Sequence, residues 1–458
     1  MYITDGSMFV KPSRADIRFL VSLIVVHLVY FLVATQYKCI YNGDSLEYIN
    51  MAINFNKGWF YSGSLLDPFD PMYYTLRPPG YPFFLWLVYV FGVNNWIVLL
   101  LQNALSVFNL LYLRSTLKLM GYSRKYDWVL MAFILLYPSQ FINANLIQPE
   151  LLLQTSVLFY SRHFLLLMQT KSWKHGFVMS LAVIAGMMMK PVLYPFVLIH
   201  FVLLMLVARR YRNSIVRAAV ASVLPILVVL GYSYWNGKRT GKMHFSSIQS
   251  INALLYNHEY YIRETQGAQA ARHFYESELA KSMAIKSFAA RYDYQSKKAL
   301  HLLQENFLPY MVLHTQKSLT MLIDPGKGEM DLFTAQTTLQ QIYSPSTKPF
   351  RQVILQDGFS GIVTYIRSNP SAPIALLVVL FNIFRLIGIG LFFFSRNIEA
   401  RYKWAMAVLF CYFVFITGPV AYARYLMPVS LLLMGCAALG YQFLLQRMRN
   451  TDNIAEAN

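Results

Sequence analysis

Apolar runs of membrane-crossing length alternate along this chain with short polar breaks, and the breaks are of two kinds. One kind is basic: Lys11/Arg14/Arg18, Arg114/Lys118/Arg124/Lys125, Lys171/Lys174, Arg209/Arg210/Arg212/Arg217, Arg396/Arg401/Lys403 and Arg447/Arg449. The other is rich in proline: Gln148-Pro149-Glu150, Lys190-Pro191, and Gly418-Pro419 followed by Ala423-Arg424-Tyr425-Leu426-Met427-Pro428. A crossing takes about 20 mostly apolar residues, because the hydrocarbon layer is about 30 Å thick and a helix rises about 1.5 Å per residue. Phe19–Val33, Phe196–Ala208 and Ile374–Leu380 belong to such runs. Cytoplasmic loops carry an excess of Lys and Arg, so each basic cluster marks that side and the chain crosses an even number of times between consecutive clusters. The stretches 125–171, 174–209 and 403–447 therefore read as helical hairpins with their turns outward. Proline suits those turns, since it lacks a backbone donor and disfavours helix in the residue before it.

The same parity places the segment Gln36–Arg77 outside, after the first span, with Trp96–Leu113 returning the chain inward. Pro79–Phe91 is too short to cross and reads as an interfacial or re-entrant helix. Ile215–Tyr234 leads out again, and the polar stretch Trp235–Pro370 is external, with Ala270–Ala289 helical and Leu308–Ile323 an amphipathic, surface-lying helix. Ile374–Phe394 brings the chain back. The expected fold is an all-α polytopic membrane protein with about ten transmembrane helices and both termini cytoplasmic. It has three parts: an N-terminal transmembrane module, residues 1–235, whose first external loop (36–95) is catalytic; a mainly helical external region, 236–372; and C-terminal transmembrane helices, 373–458.

Composition agrees with this reading. Hydrophobic residues make up 56% of the chain and charged ones 13%, against about 25% charged in a soluble domain. The net charge of +19 does not imply nucleic acid, because the basic residues fall in loop-sized clusters and no nucleic-acid-binding motif accompanies them. Cys39, Cys411 and Cys436 show no CxxC pairing and read as packing residues. The first span follows Lys11, Arg14 and Arg18 like a signal peptide but is long and lacks a small-x-small cleavage site, so an uncleaved anchor is expected. The histidines show no HExxH-like spacing, which argues against a catalytic zinc.

Candidate chemistry gathers at the outer turns. Glu150, Lys190 and Arg424 each stand at a hairpin tip amid apolar sequence, where ionisable groups are costly and usually functional. The first loop reads Tyr41-Asn42-Gly43-Asp44-Ser45-Leu46-Glu47-Tyr48, then passes Trp59, Asp67 and Asp70 to Arg77-Pro78-Pro79-Gly80-Tyr81-Pro82. Asp44 lies close to the outer interface, and Glu47 follows on the same face of a helix; such carboxylates accept or orient a nucleophile's proton. Arg77, stiffened by two prolines, suits an anionic phosphate gripped through two hydrogen bonds. Tyr48, Trp59 and Tyr81 are candidates to stack on a sugar. His258, beside Asn257, is a further polar candidate.

These landmarks, in this order, resemble the GT-C superfamily of membrane glycosyltransferases, in particular the branch holding protein O-mannosyltransferases and the lipid A aminoarabinose transferase. The matching pieces are Gly43-Asp44-x-x-x-Tyr48, Arg77-Pro78-Pro79-Gly80-Tyr81-Pro82, Gln148-Pro149-Glu150, Met189-Lys190-Pro191, Thr240-Gly241 with Asn252-Ala253-Leu254 and Asn257, and Arg424-Tyr425-x-x-Pro428. The resemblance implies a sugar carried on polyprenyl phosphate, of the undecaprenyl-phosphate type, and transferred at the outer face of the cytoplasmic membrane to a glycan, lipid or protein acceptor. Asp44 would stand for the family's first-loop acid and Glu150 for its second-loop acid. Arg77 stands where aminoarabinose transferases carry the basic residue of Lys-Pro-Pro. The chain departs from the family in having that arginine, and in Asp44-Ser45 where an Asp-Glu pair is often found.

The residues fit that chemistry on their own terms. No Gly-rich nucleotide loop or Asp-x-Asp motif is present, and a lipid-linked donor would reach the site laterally through the membrane. Asp44 would serve the acceptor hydroxyl, with Glu150 as its companion acid; Arg77, Lys190 and Arg424 would stabilise the departing phosphate; Glu47, Tyr48, Tyr81, Asn252, Asn257 and His258 would line the substrate. Single displacement with inversion is expected. No cofactor is required, although some GT-C relatives bind a divalent ion for which carboxylates are suitable ligands. The competing readings are a flippase or transporter of lipid-linked oligosaccharide and an O-antigen-polymerase-like enzyme. A transporter would set its charges near the midplane and show internal repeats, which this chain does not.

Overall fold

In the computed structural model, residues 13–210, 215–336, 360–361, 363–367 and 369–455 are described; Lys11, Arg212 and residues 337–359 of the external stretch lie outside them. All regular structure among the described residues is helical. Helix α1 (Arg14–Tyr37) starts on a capping box, in which the Ser13 hydroxyl accepts the Asp16 N–H while the Asp16 carboxylate accepts the Ser13 N–H. It ends where Lys38 turns left-handed. Val21, Val25, Leu28 and Leu32 on its outer face are exposed, as a lipid-facing stripe must be. The first loop contains α2 (Ser45–Phe55) and α3 (Gly80–Tyr89), and α4 (Asn95–Lys118) follows.

Among the described residues six helices are long and apolar enough to cross a membrane: α1, α4, α7 (Glu150–Thr170), α10 (Ile215–Thr240), α17 (Ala372–Phe394) and the last one, Ala423–Arg449, most of which is α19 (Met427–Ala455). The chain is thus a helical membrane protein. Shorter helices stand between the long ones: α5 (Asp127–Leu135) and α6 (Pro138–Ala144), α8 (Lys174–Met189), α9 (Phe196–Arg210) and α18 (Ala400–Phe415). The α5–α6 break was not expected from the hydropathy pattern. It falls at Leu136–Tyr137, because Pro138 cannot donate to the preceding turn.

One end of the bundle is basic and tied by ion pairs. Arg114 at the end of α4 meets Asp16 at 2.7 Å and Asp127 at 2.5 Å, and Arg124 meets Asp16 at 2.9 Å, which joins α1, α4 and α5. Inside, buried amides act as glue. The His27 ring bonds Ser106 at 2.8 Å, Gln140 donates to Ser106 at 2.8 Å, and Gln154 donates to the Met427 carbonyl at 2.8 Å. A side-chain amide in an apolar bundle must find such partners or carry a desolvation cost. Small residues bring α17 and α19 together: a Cβ on Gly440 would lie 2.0 Å from the Gly388 carbonyl oxygen.

The polar stretch after α10 begins with α11 (Ile248–Ile251), a π-helical turn (Asn252–His258) and α12 (Glu259–Gln266). It continues through α13 (Ala268–Ala284), α14 (Phe288–Glu305), α15 (Phe307–Met321) and α16 (Lys327–Phe333). The expected helix Ala270–Ala289 is interrupted, since α13 stops at Ala284 and Ser287 caps α14 with its hydroxyl. The stretch then dips back onto the bundle. Asn382 of α17 donates to the carbonyls of Ile323 (3.2 Å) and Asp324 (3.1 Å), and Arg385 donates to that of Leu322 (2.9 Å). These bonds satisfy carbonyls that α15 leaves open at its end and hold α16 against α6.

Candidate functional site

Asp44 stands at the N-cap of α2 but makes no capping bond. Its carboxylate turns instead to Arg77: Arg77 Nη2 donates to Asp44 Oδ1 at 2.8 Å, and Arg77 Nε donates to Glu47 Oε2 at 2.5 Å. Glu47 can share the guanidinium because it lies one helical turn beyond Asp44. Arg77 is buried, with its side chain 8% exposed, and its guanidinium lies over the Tyr48 ring at 5.3 Å. The segment before it is fixed by the stretch that follows α10. Ser247 N–H donates to the Thr75 carbonyl at 3.1 Å, Ser246 Oγ to the Leu76 carbonyl at 3.0 Å, and the His244 ring meets Thr75 Oγ1 at 2.7 Å. After the two prolines comes Gly80, where a Cβ would sit 2.6 Å from the Met188 carbonyl oxygen; only glycine lets α3 start this close to α8.

Glu150 opens α7 and is 1% exposed. Its Oε1 accepts from Lys190 Nζ at 2.6 Å, while its Oε2 has no hydrogen-bond partner among the described residues. Lys190 ends α8 in an extended conformation, ahead of Pro191, and Arg424 lies in the 3-10 turn Ala423–Leu426. Tyr425 stands between these two cations, with Arg424 over its ring at 5.1 Å and Lys190 at 5.6 Å. Arg424 Nη2 lies 3.9 Å from Asp44 Oδ2. The first loop and the turn before Glu150 are laced by Asn42 Nδ2 to Gln148 Oε1 (3.2 Å), Ser45 Oγ to the Ile147 carbonyl (2.7 Å) and Ile147 N–H to the Ile40 carbonyl (2.9 Å). Five of the expected residues, Asp44, Arg77, Glu150, Lys190 and Arg424, thus share one end of the bundle, opposite its basic end.

Burial pushes the Asp44 carboxyl up, but the charges of Arg77, Arg424 and Lys190 outweigh it and hold the group at about 2. Glu47 moves the other way. Burial raises its carboxyl, the Asp44 charge adds to the rise, and Arg77 offsets only part. Burial also disfavours the Arg77 guanidinium, yet Asp44 and Glu47 more than compensate and keep it charged.

The remaining expected residues are placed variously. Glu47 and Tyr48 join the cluster, and the fully buried Tyr48 hydroxyl has no hydrogen-bond partner among the described residues. Tyr81 packs edge-on to Tyr48 at 5.1 Å and donates to Gln102 Oε1 at 2.7 Å, fully buried in the bundle. Asn257 abuts the interhelical turn at Gly418, where a Cβ would come within 2.8 Å of its amide. Asn252 is exposed at the start of the π-helical turn. His258 is not brought to the cluster: its ring meets the Ala299 carbonyl at 2.8 Å and Tyr310 at 5.4 Å among the helices of the polar stretch. Among the described residues no three or more His, Cys, Asp or Glu side chains gather as a metal site.

Sequence reasoning missed the acids that α16 carries in. Asp324 accepts the N–H groups of Gly326 (3.0 Å) and Ala423 (2.8 Å), the residue before Arg424. Glu329 Oε2 accepts from Asn143 of α6 at 3.4 Å, and its Oε1 is buried with no hydrogen-bond partner among the described residues. Burial raises the Glu329 carboxyl to about 7 against the pull of Arg424. Beside the Arg77-Pro78-Pro79-Gly80 turn, an apolar groove of about 460 Å³ is lined by Phe55, Phe60, Pro79, Gly80, Phe83, Trp86 and Met188. No family model, curated protein or solved structure matches this chain.

Proposed function

We propose that this protein is a GT-C-like membrane glycosyltransferase that moves a sugar from a polyprenyl-phosphate donor to an acceptor at the outer face of the cytoplasmic membrane. The observation that carries this reading is the meeting of Arg77, Lys190 and Arg424 with Asp44 and Glu150 beside an apolar groove. Its volume lies within the roughly 300–1,000 Å³ of ligand pockets. A donor of this class has an apolar tail, a phosphate and a sugar; Pro79 and Gly80 of the groove follow Arg77 in the chain by two and three residues, so a tail in the groove would bring its phosphate toward the cluster of cations and carboxylates. The cations would stabilise the charge that develops on the departing phosphate, in a pocket where neighbouring protein replaces water. A carboxylate held at about 2 is a weak base near neutrality, so Asp44 acts here by orienting Arg77 and Arg424.

The topology in this proposal has about ten crossings, the shorter helices included. Helices α8 and α18 have 16 residues each and α9 has 15. At about 1.5 Å per residue they fall short of the roughly 30 Å hydrocarbon layer, which lets the turns at Lys190 and Arg424 sit within its outer margin. Single cysteines in a chain cleared of Cys39, Cys411 and Cys436 test the orientation. A membrane-impermeant maleimide is expected to label Leu66→Cys in intact cells, and Asn397→Cys only after permeabilisation. The reverse pattern would turn the site toward the cytoplasm and end the proposal.

The function itself is tested with undecaprenyl phosphate carrying a radiolabelled hexose or pentose, offered with lipid, polysaccharide and protein fractions of the envelope. The unaltered protein is expected to move label from donor to one fraction. Asp44→Asn is expected to lower that transfer at least about a hundredfold, the usual scale for losing one well-placed electrostatic group. Undiminished transfer by this variant would remove Asp44 from the site.

A further inference from the structure

We infer that Glu329 is the catalytic base of this site: its free Oε1 takes the proton of the acceptor hydroxyl. The inference rests on the transferase reading above. Geometry singles the residue out. Asp44 and Glu47 both spend an oxygen on Arg77, and Glu150 spends one on Lys190. Among the described residues Glu329 has no ion pair, and its buried Oε1 has no partner at hydrogen-bond geometry, while Asn143 donates to Oε2 at 3.4 Å and the Ser139 hydroxyl also bonds the carboxylate, which orients the group. A buried acceptor without a protein partner carries a desolvation cost, which a hydroxyl reaching Glu329 Oε1 would relieve.

The electrostatic surroundings suit a base. Toward Glu329 face Ser139 and Asn143 of α6, Glu150 of α7, Arg424 of the 3-10 turn and Asp324 of the turn before α16. On its own helix Lys327 and Asp331 pair with each other at 2.5 Å. Burial is the largest influence, Arg424 opposes it, and the acids Asp324 and Glu150 reinforce it, which brings the carboxyl to about 7. A base is most effective when its affinity for a proton matches the working pH. In the reaction the acceptor O–H proton passes to Glu329 Oε1 and the oxygen forms its bond to the anomeric carbon. The bond from that carbon to the phosphate oxygen breaks, and its electron pair leaves with the phosphate beside Arg77, Lys190 and Arg424. Glu329 then returns the proton to water.

Glu329→Gln keeps the shape and removes the base. Its turnover in the radiolabel assay is expected to fall about 10²- to 10⁴-fold, with binding of undecaprenyl phosphate alone unchanged. Transfer by the unaltered protein is expected to rise with pH to a plateau above about 7, and the residual transfer of the variant to lose that rise. Asp44→Asn keeps the rise despite its lower rate. A readout without substrate accompanies these. A raised carboxyl stabilises the fold below its ordinary range and loses that contribution as pH climbs through 7, so Glu329→Gln is expected to melt above the unaltered chain at pH 8 and level with it at pH 4. Transfer by the unaltered chain with equal turnover and the same pH rise in Glu329→Gln overturns the base assignment alone. An absence of any pH-dependent melting difference overturns it as well. No transfer by the unaltered chain overturns the transferase reading and, with it, the base.

Discussion

An Arg77→Ala chain is expected to lose donor use and about 3 kcal/mol of stability together, because one guanidinium serves two carboxylates. With the side chain gone, Asp44 and Glu47 face each other half-buried, with Arg424, 3.9 Å from Asp44, and the more distant Lys190 to offset them. Removing one member of a buried ion pair is costly for this reason, whereas the intact pair contributes little net stability. Arg77→Lys would keep the charge but not the planar fork that reaches Asp44 through Nη2 and Glu47 through Nε, so it is expected to recover stability only in part. The acid limb of stability supplies a second check. The stability that Asp44 contributes is full above its ordinary value of 3.8 and is lost as pH falls through about 2. In Arg77→Ala the folded carboxyl moves back up toward its ordinary value, so that acid loss is expected to shrink. The measurements are melting in detergent across pH 2–8 and binding of undecaprenyl phosphate. Native melting together with native binding would show that Arg77 is neither the keystone of the loop nor a phosphate contact.

What the sequence disclosed about this architecture follows from where the relevant physics is local. Pro191 stops α8 through its own ring, Pro149 stands at the N-cap of α7, and the spacing of the basic clusters puts the turns at Glu150, Lys190 and Arg424 at one end of the bundle, where they meet. The partnerships among them were not readable. Nothing near Asp44 says that its carboxylate forgoes the α2 cap for Arg77, and nothing near Glu150 names Lys190. Tyr81 reads as a sugar-stacking ring because its type is amphipathic, yet Gln102, buried in α4, takes its hydroxyl. Glu329 was the most hidden, since α16 sits in a polar stretch that reads as wholly external. The available signal lay elsewhere, in Arg385 and Asn382 within an otherwise apolar span. A polar pair at that depth must satisfy something, and here it satisfies the carbonyls of Leu322, Ile323 and Asp324 that carry α16 inward.

The Glu150–Lys190 pair allows stability and function to be pulled apart. Lys190→Met is expected to destabilise the chain by about 3–5 kcal/mol, since it leaves the Glu150 carboxylate, 2% exposed, without its cation while Oε2 already lacks a partner. Glu150→Gln alone is expected to cost less, because Lys190 is 16% exposed and retains the face of Tyr425. The double variant Glu150→Gln/Lys190→Met removes both charges and is expected to return most of the stability lost in Lys190→Met, a coupling that a double-mutant cycle measures directly. Transfer should not return with it. If Lys190 stabilises the departing phosphate, a chain that folds without the pair remains at least about a hundredfold slower than the unaltered protein. Recovery of stability and transfer together in the double variant would make the pair a packing device, and would leave Arg77 and Arg424 as the cations of the site.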